Sequence, residues 1–177
     1  MMRTQALIVV LLFLFVPPAM SASNEIDAYV QEALVKFRAH TPAGAKLAAS
    51  AKGILVFPKV YKAGFVIGGE YGEGALLING YTQGYYSIAA GSFGLQVGAQ
   101  RKSQIILFMT DSALATFRNS KGWQAGVDGS VAIATLGAGD KIDTETAKQP
   151  IVGFIFSNEG LMFNLTLEGA KITPIKR

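Results

Sequence analysis

A chain of 177 residues with sixteen basic and twelve acidic side chains, one histidine and no cysteine is narrowed before any motif is read. The length suits one domain with a sizeable core. The missing thiol excludes disulfides, thiol catalysis and cysteine-ligated metals, and a lone His40 offers no transition-metal set.

The first residues read as a targeting segment. Arg3 supplies a positive start, Ala6 to Val16 is an unbroken apolar run, and Pro17-Pro18 leads into the small residues Ala19 to Ser23. That pattern predicts a signal peptide over residues 1–23, cut after Ser21 or Ser23. Eleven apolar residues fall short of the roughly 20 that span a bilayer. The expected product is a soluble or peripherally bound protein of the periplasm or the outside of the cell. Without cysteine it cannot carry a lipid on an N-terminal thiol.

Residues 24–40 predict an amphipathic helix, with Ile26, Tyr29, Val30, Ala33, Leu34 and Phe37 on one face. Asn24 is the expected cap, and Glu32 and Lys36 form an i,i+4 pair. His40 at the helix end reads as a partner of the dipole. Thr41-Pro42 opens a second, shorter helix that should close on Gly53 as a left-handed cap.

From Ile54 the texture is β. Ile54 to Phe57 is an apolar strand, with Pro58-Lys59 and Lys62 to Gly64 read as turns. Short strands follow near 64–70, 74–79, 85–91, 92–100 and 103–109, and Asn79-Gly80 is a hairpin dipeptide. Thr110 caps a short helix, and Trp123 to Thr135 alternates again. The stretch 136–149 reads as a polar loop in which Asp140, Asp143 and Glu145 lack the spacing of a Ca²⁺ loop. Two final strands complete the pattern. Helices first and strands after predict an α+β fold, with two N-terminal helices packed on a glycine-rich, curved antiparallel sheet or partly closed β-barrel. Trp123, Tyr81, Tyr85 and Tyr86 are expected in the core or in cross-strand pairs.

Gly68 to Gly74 is dense in glycine but opens no helix. It therefore fits sheet curvature or close approach better than a phosphate cradle.

Several stretches resemble the SYLF domain family from about Pro42 to Ile172, which implies a single such domain over residues 24–177. AKGILVF (residues 51–57) followed by KAGFVIGGEYGEG (residues 62–74) is similar to the family's helix end and glycine-studded strand. GSFGLQVGAQ (residues 91–100), TDSALATF (residues 110–117) and SNEGLMFNLTLEGAKI (residues 157–172) resemble its central strand, short helix and final hairpin. Where many members carry a GPLGR turn, this chain has ATLGAG (residues 134–139). The resemblance implies a lipid-binding domain without enzymatic activity and without a cofactor. Eukaryotic members bind phosphoinositides and, in some cases, actin, a partner that export argues against.

Charge supports the same reading independently. Lys36, Arg38, Lys46, Lys52, Lys59 and Lys62 fall between Ala33 and Gly69 with no acid among them. They are the expected lipid-binding residues, facing an anionic phospholipid surface. The alternative is a periplasmic protein-interaction or envelope-structural module whose basic region meets an acidic protein. No nucleic-acid motif accompanies the charge.

Overall fold

The computed structural model describes residues 22–177 apart from 65–66, 94–97, 135, 138–140, 158–159 and 162–166. The expected leader thus lies outside the described residues except for Ala22 and Ser23, which open helix α1 (Ala22–His40). This helix starts ahead of Asn24 and buries Ile26, Val30, Ala33, Leu34 and Phe37, the stripe its 3.6-residue period marks. His40 bonds through Nδ1 to the Lys36 carbonyl at 2.8 Å. Helix α2 (Pro42–Ala49) starts with Pro42 behind Thr41, and its C-cap is Ser50. Gly53 is therefore not the left-handed cap the sequence suggested. It begins a strand, and a Cβ there would press to 2.8 Å on the Leu114 side chain.

Four long strands form the centre: β1 (Gly53–Gly64), β2 (Ile67–Ile78), β3 (Tyr81–Phe93) and β4 (Gly98–Phe108). Each joins segments read as separate. Strand β2 runs through its glycines, because glycine in a strand removes a side chain without removing the ladder, and β1 runs through Pro58-Lys59 and Lys62 to Gly64, which are strand and not turns. Helix α3 (Asp111–Asn119) follows, then β5 (Trp123–Gln124) and β6 (Ala132–Ile133). The stretch read as a loop holds β7 (Leu136–Gly137), β8 (Lys141–Ile142) and α4 (Thr144–Ala147). The chain closes with β9 (Ile151–Ser157), β10 (Gly160–Leu161) and β11 (Lys171–Ile175).

Side by side the strands run β10-β9-β4-β1-β2-β3-β11-β5, curled into a half-barrel, with β7 and β8 paired apart. The main path is antiparallel, and β6 adds a short parallel pairing to β9. The fold is α+β, with the N-terminal helices ahead of the sheet. Asn79 and Gly80 both have positive φ, as the tight turn between β2 and β3 requires.

Alternation divides the buried side chains between the two faces of the sheet. One core gathers Leu55, Phe57, Val60, Leu76, Ile106 and Phe108 with α3 and Trp123. The other packs α1 on Val56, Ala75, Leu77, Ile105, Leu107 and Phe154. Trp123 is buried edge-on to Phe117, and Tyr86 lies 5.0 Å from the same ring. Tyr81 lies outside the core and is exposed, but it stands in a cross-strand pair with Ile78 beside the β2–β3 turn.

Pro58 sits within β1, which has β2 on one side and β4 on the other. A residue without an N–H is tolerated in such a strand at a bulge. The strand bulges there: Val56 faces Ala75 and Lys59 faces Glu73, so β1 takes three steps where β2 takes two. Against β4 the slip falls between Phe57 and Val60. The Pro58 carbonyl accepts the Ser103 hydroxyl at 2.7 Å. The extra residue reverses the alternation. Leu55 and Phe57 enter the first core before it, and Val60 enters it after. Lys59, which an unbroken strand would aim into that core, lies under α1 instead.

Candidate functional site

The reversal at Pro58 builds a groove between α1 and the sheet. Its cavity of ≈ 260 Å³ is lined by Tyr29, Glu32, Ala33 and Lys36 from α1, Pro58 and Lys59 from β1, and Arg101 and Ser103 from β4. Tyr29, Glu32, Ala33 and Lys36 share a helix face because they are spaced three and four residues apart. Arg101 arrives by register, as the β4 partner of Tyr61, two residues beyond Lys59.

Three cations therefore face one carboxylate across the cavity. Lys36 and Glu32 pair at 2.7 Å, and Lys59 stands over the Tyr29 ring with its ammonium 2.9 Å from the centroid. A cation held on an aromatic face keeps its charge while losing freedom, an attraction of roughly 0.5–2 kcal/mol. The Glu32 carboxyl is held below its ordinary range, chiefly by the hydrogen bond and charge of Lys36, with Lys59 and Arg101 acting in the same direction. An anion entering the groove would meet two net positive charges on a partly preordered frame.

The six basic residues expected to act together are divided. Lys36 and Lys59 share the groove. Arg38 and Lys52 line a separate depression of ≈ 220 Å³ beside α2 and the Asn79-Gly80 turn, and Lys52 lies 3.8 Å from Asp111. Lys46 is exposed on α2. Lys62 follows Tyr61 on β1 and so points to the face opposite α1. There it lies 3.9 Å from Glu70, whose carboxylate is bonded at 2.8 Å by Lys102. Gln104, on the same face of β4, is 1% exposed and its Oε1 has no partner.

Sequence reasoning did not nominate Arg101, because its place depends on a pairing between strands forty residues apart. The usable signal is the change of apolar parity across Pro58, which places Lys59 and Tyr61 on the face of Val56 rather than that of Phe57.

Asp143 caps α4 by accepting the Thr146 N–H at 2.8 Å, and hydrogen bonding from the Thr146 side chain first, then from its N–H, holds the carboxyl low. Asp140 lies outside the described residues. Among the described residues no group of three or more His, Cys, Asp or Glu could hold a metal ion. No described helix is long and apolar enough to cross a membrane.

No curated protein matches the chain. Residues 89–177 match the Ysc84 family, described as Las17-binding protein actin regulator. The match begins within β3 and takes in Arg101 and Ser103, while α1 and β1 precede it. It covers half the sequence and agrees with the motifs in GSFGLQVGAQ, TDSALATF and the C-terminal hairpin. The chain belongs to the Ysc84 (SYLF) family of binding domains.

Proposed function

We propose that this protein is an exported, non-enzymatic domain that associates peripherally with anionic phospholipid through the groove between α1 and the sheet. The observation that carries the reading is the convergence of Lys36, Lys59 and Arg101, from three separate elements, on one cavity. Each basic side chain held near an anionic leaflet contributes roughly 1 kcal/mol. Arg38 and Lys46 add positive charge along the two helices, while Lys52, just past α2, lies 3.8 Å from Asp111. Lys62 is occupied on the other face and takes no part. The family's lipid- and actin-binding character agrees with a binding role, and the Arg3 to Ser23 segment supports export.

Vesicle co-sedimentation tests it. Wild type should bind phosphatidylglycerol or cardiolipin vesicles in preference to phosphatidylcholine, and less at high salt, since exposed charges are screened beyond ~8 Å at physiological ionic strength. The variant Lys36→Gln/Lys59→Gln/Arg101→Gln should lose about a hundredfold in affinity, at about 1 kcal/mol per charge. Equal binding by the folded variant would exclude the groove. No binding by wild type to any anionic vesicle would favour the second reading, a protein partner, which the family's description as an actin regulator supports.

A further inference from the structure

A second cavity adjoins the basic one. It measures ≈ 320 Å³ and shares Tyr29, Pro58 and Lys59 with its neighbour. Beyond those three residues its walls are Ala22 and Ile26 of α1 and the rings of Tyr61 and Tyr71. Tyr61 and Tyr71 are direct partners across β1 and β2. They remain 53% and 51% exposed.

Two carboxylates also touch this second cavity. Glu73 is engaged by Arg177 and by the Tyr71 hydroxyl, and Glu25 is exposed in the first turn of α1. The two cavities thus differ in character along one line. Cations gather at the Arg101 end, and aromatic and apolar groups with acids gather at the Tyr71 end. Lys59 and Tyr29 stand at the boundary. Side by side the cavities reach the roughly 300–1,000 Å³ typical of small-molecule sites.

We propose that the paired cavities form one bipartite site for a single anionic amphiphile. Its phosphate would lie among Lys36, Lys59 and Arg101, and the start of its alkyl chain among Tyr29, Tyr61 and Tyr71. The inference rests on the lipid reading above but is narrower: it specifies capture of one molecule, with a chain as well as a charge. Charge complementarity sets the orientation, because three cations of the first cavity attract the head, whereas at the second Glu73 is already paired with Arg177 and Glu25 repels an anion. Tyrosine rings, apolar in body and polar at the tip, suit the junction between head group and chain.

Titration calorimetry with octyl phosphate below its micelle concentration tests the proposal on the whole chain. Wild type should bind one molecule, at least tenfold more tightly than inorganic phosphate and tenfold more tightly than octyl maltoside. Tyr61→Ser/Tyr71→Ser should remove the advantage over inorganic phosphate. Lys59→Gln/Arg101→Gln should remove the advantage over octyl maltoside. Circular dichroism controls for folding, and the wild-type comparison decides the matter even if the tyrosine variant misfolds. Equal affinity for octyl phosphate and inorganic phosphate, or uptake without a one-to-one endpoint, would overturn the bipartite site. Vesicle binding without octyl phosphate binding would remove this site and leave the surface reading standing. Octyl phosphate binding without vesicle binding would do the reverse.

Discussion

Gly74 of β2 lies so close beneath the bulge of β1 that a Cβ on it would come within 2.9 Å of the Phe57 Cα and closer still to the Val56 carbonyl. Backbone cannot withdraw as a flexible side chain can. The bulge that carries Lys59 to the α1 face therefore needs a residue without a side chain opposite it.

Gly74→Ala should destabilise the fold by roughly 1–3 kcal/mol, the usual cost of overpacking, and Gly72→Val should act similarly. At Gly72 a Cβ would meet the Lys59 carbonyl at 2.7 Å. Gly69→Ala is the control, since its Cβ would find only the Ala90 carbonyl at 3.8 Å. Urea melts of the three variants should separate Gly69 from the other two. Equal midpoints for all three would remove the steric account.

Asp27 fastens α1 to the sheet by accepting the hydroxyls of Thr82 at 2.9 Å and Tyr85 at 2.8 Å. Burial and this carboxylate together raise the Tyr85 hydroxyl above its ordinary range. Asp27→Ala should lose roughly 1–3 kcal/mol, as expected for hydrogen bonds to a charged acceptor. Amide exchange should accelerate in α1 before it does in β1 or β4. Uniform acceleration across the molecule would mean that the helix does not open on its own.

Arg177 and the Tyr71 hydroxyl hold the Glu73 carboxyl below the ordinary 4.5, the arginine contributing most. A carboxyl lowered in the folded state stabilises it above the unfolded value. That contribution is lost as pH falls through the folded value. Arg177→Gln should therefore return the Glu73 titration toward 4.5 and make acid unfolding begin at higher pH. Carbon-13 NMR of the Glu73 carboxyl would show it, and an unmoved titration would mean that Arg177 is not the cause.

Lys102 and Glu70 form a nearly buried pair, with side chains 7% and 14% exposed. Lys102→Met should cost roughly 2–3 kcal/mol, less than the ~3–5 of a fully dry pair because Lys62 remains 3.9 Å away. Glu70→Gln added to Lys102→Met should recover part of that loss in a double-mutant cycle. An additive double variant would show that the two groups do not interact.

Local patterns were legible where local chemistry decided the outcome. The apolar face of α1, the Thr110 cap, whose hydroxyl oxygen accepts the Ala113 N–H, and the Asn79-Gly80 turn each follow from a few adjacent residues. The division of the basic residues did not. Lys59 and Lys62 are three apart, and a reader counting simple alternation would place them on opposite faces without knowing which one faces α1. The bulge decides that, and Pro58 announces it only to a reader who rules out a turn. Arg101 joins the groove through a ladder fixed by the whole of β1 and β4, and no local pattern encodes such a meeting. Tyr81 takes the cross-strand alternative to the core, because it pairs with Ile78 at the end of the ladder where the turn begins.

The Pro58 bulge also makes β1 a strand written in two reading frames. Everything before residue 58 is placed by one parity and everything after by the other, so the second half keeps its meaning only while the extra residue is retained. A one-residue deletion there would act like a frameshift in three dimensions. Val60 would turn toward the helix, Lys59 and Tyr61 would turn toward the opposite core, and the binding surface would be lost although every residue that forms it was still present. Homologous chains with an altered length at this point should therefore be compared by face rather than by column. A lysine aligned with Lys59 but lacking the bulge would not be its equivalent.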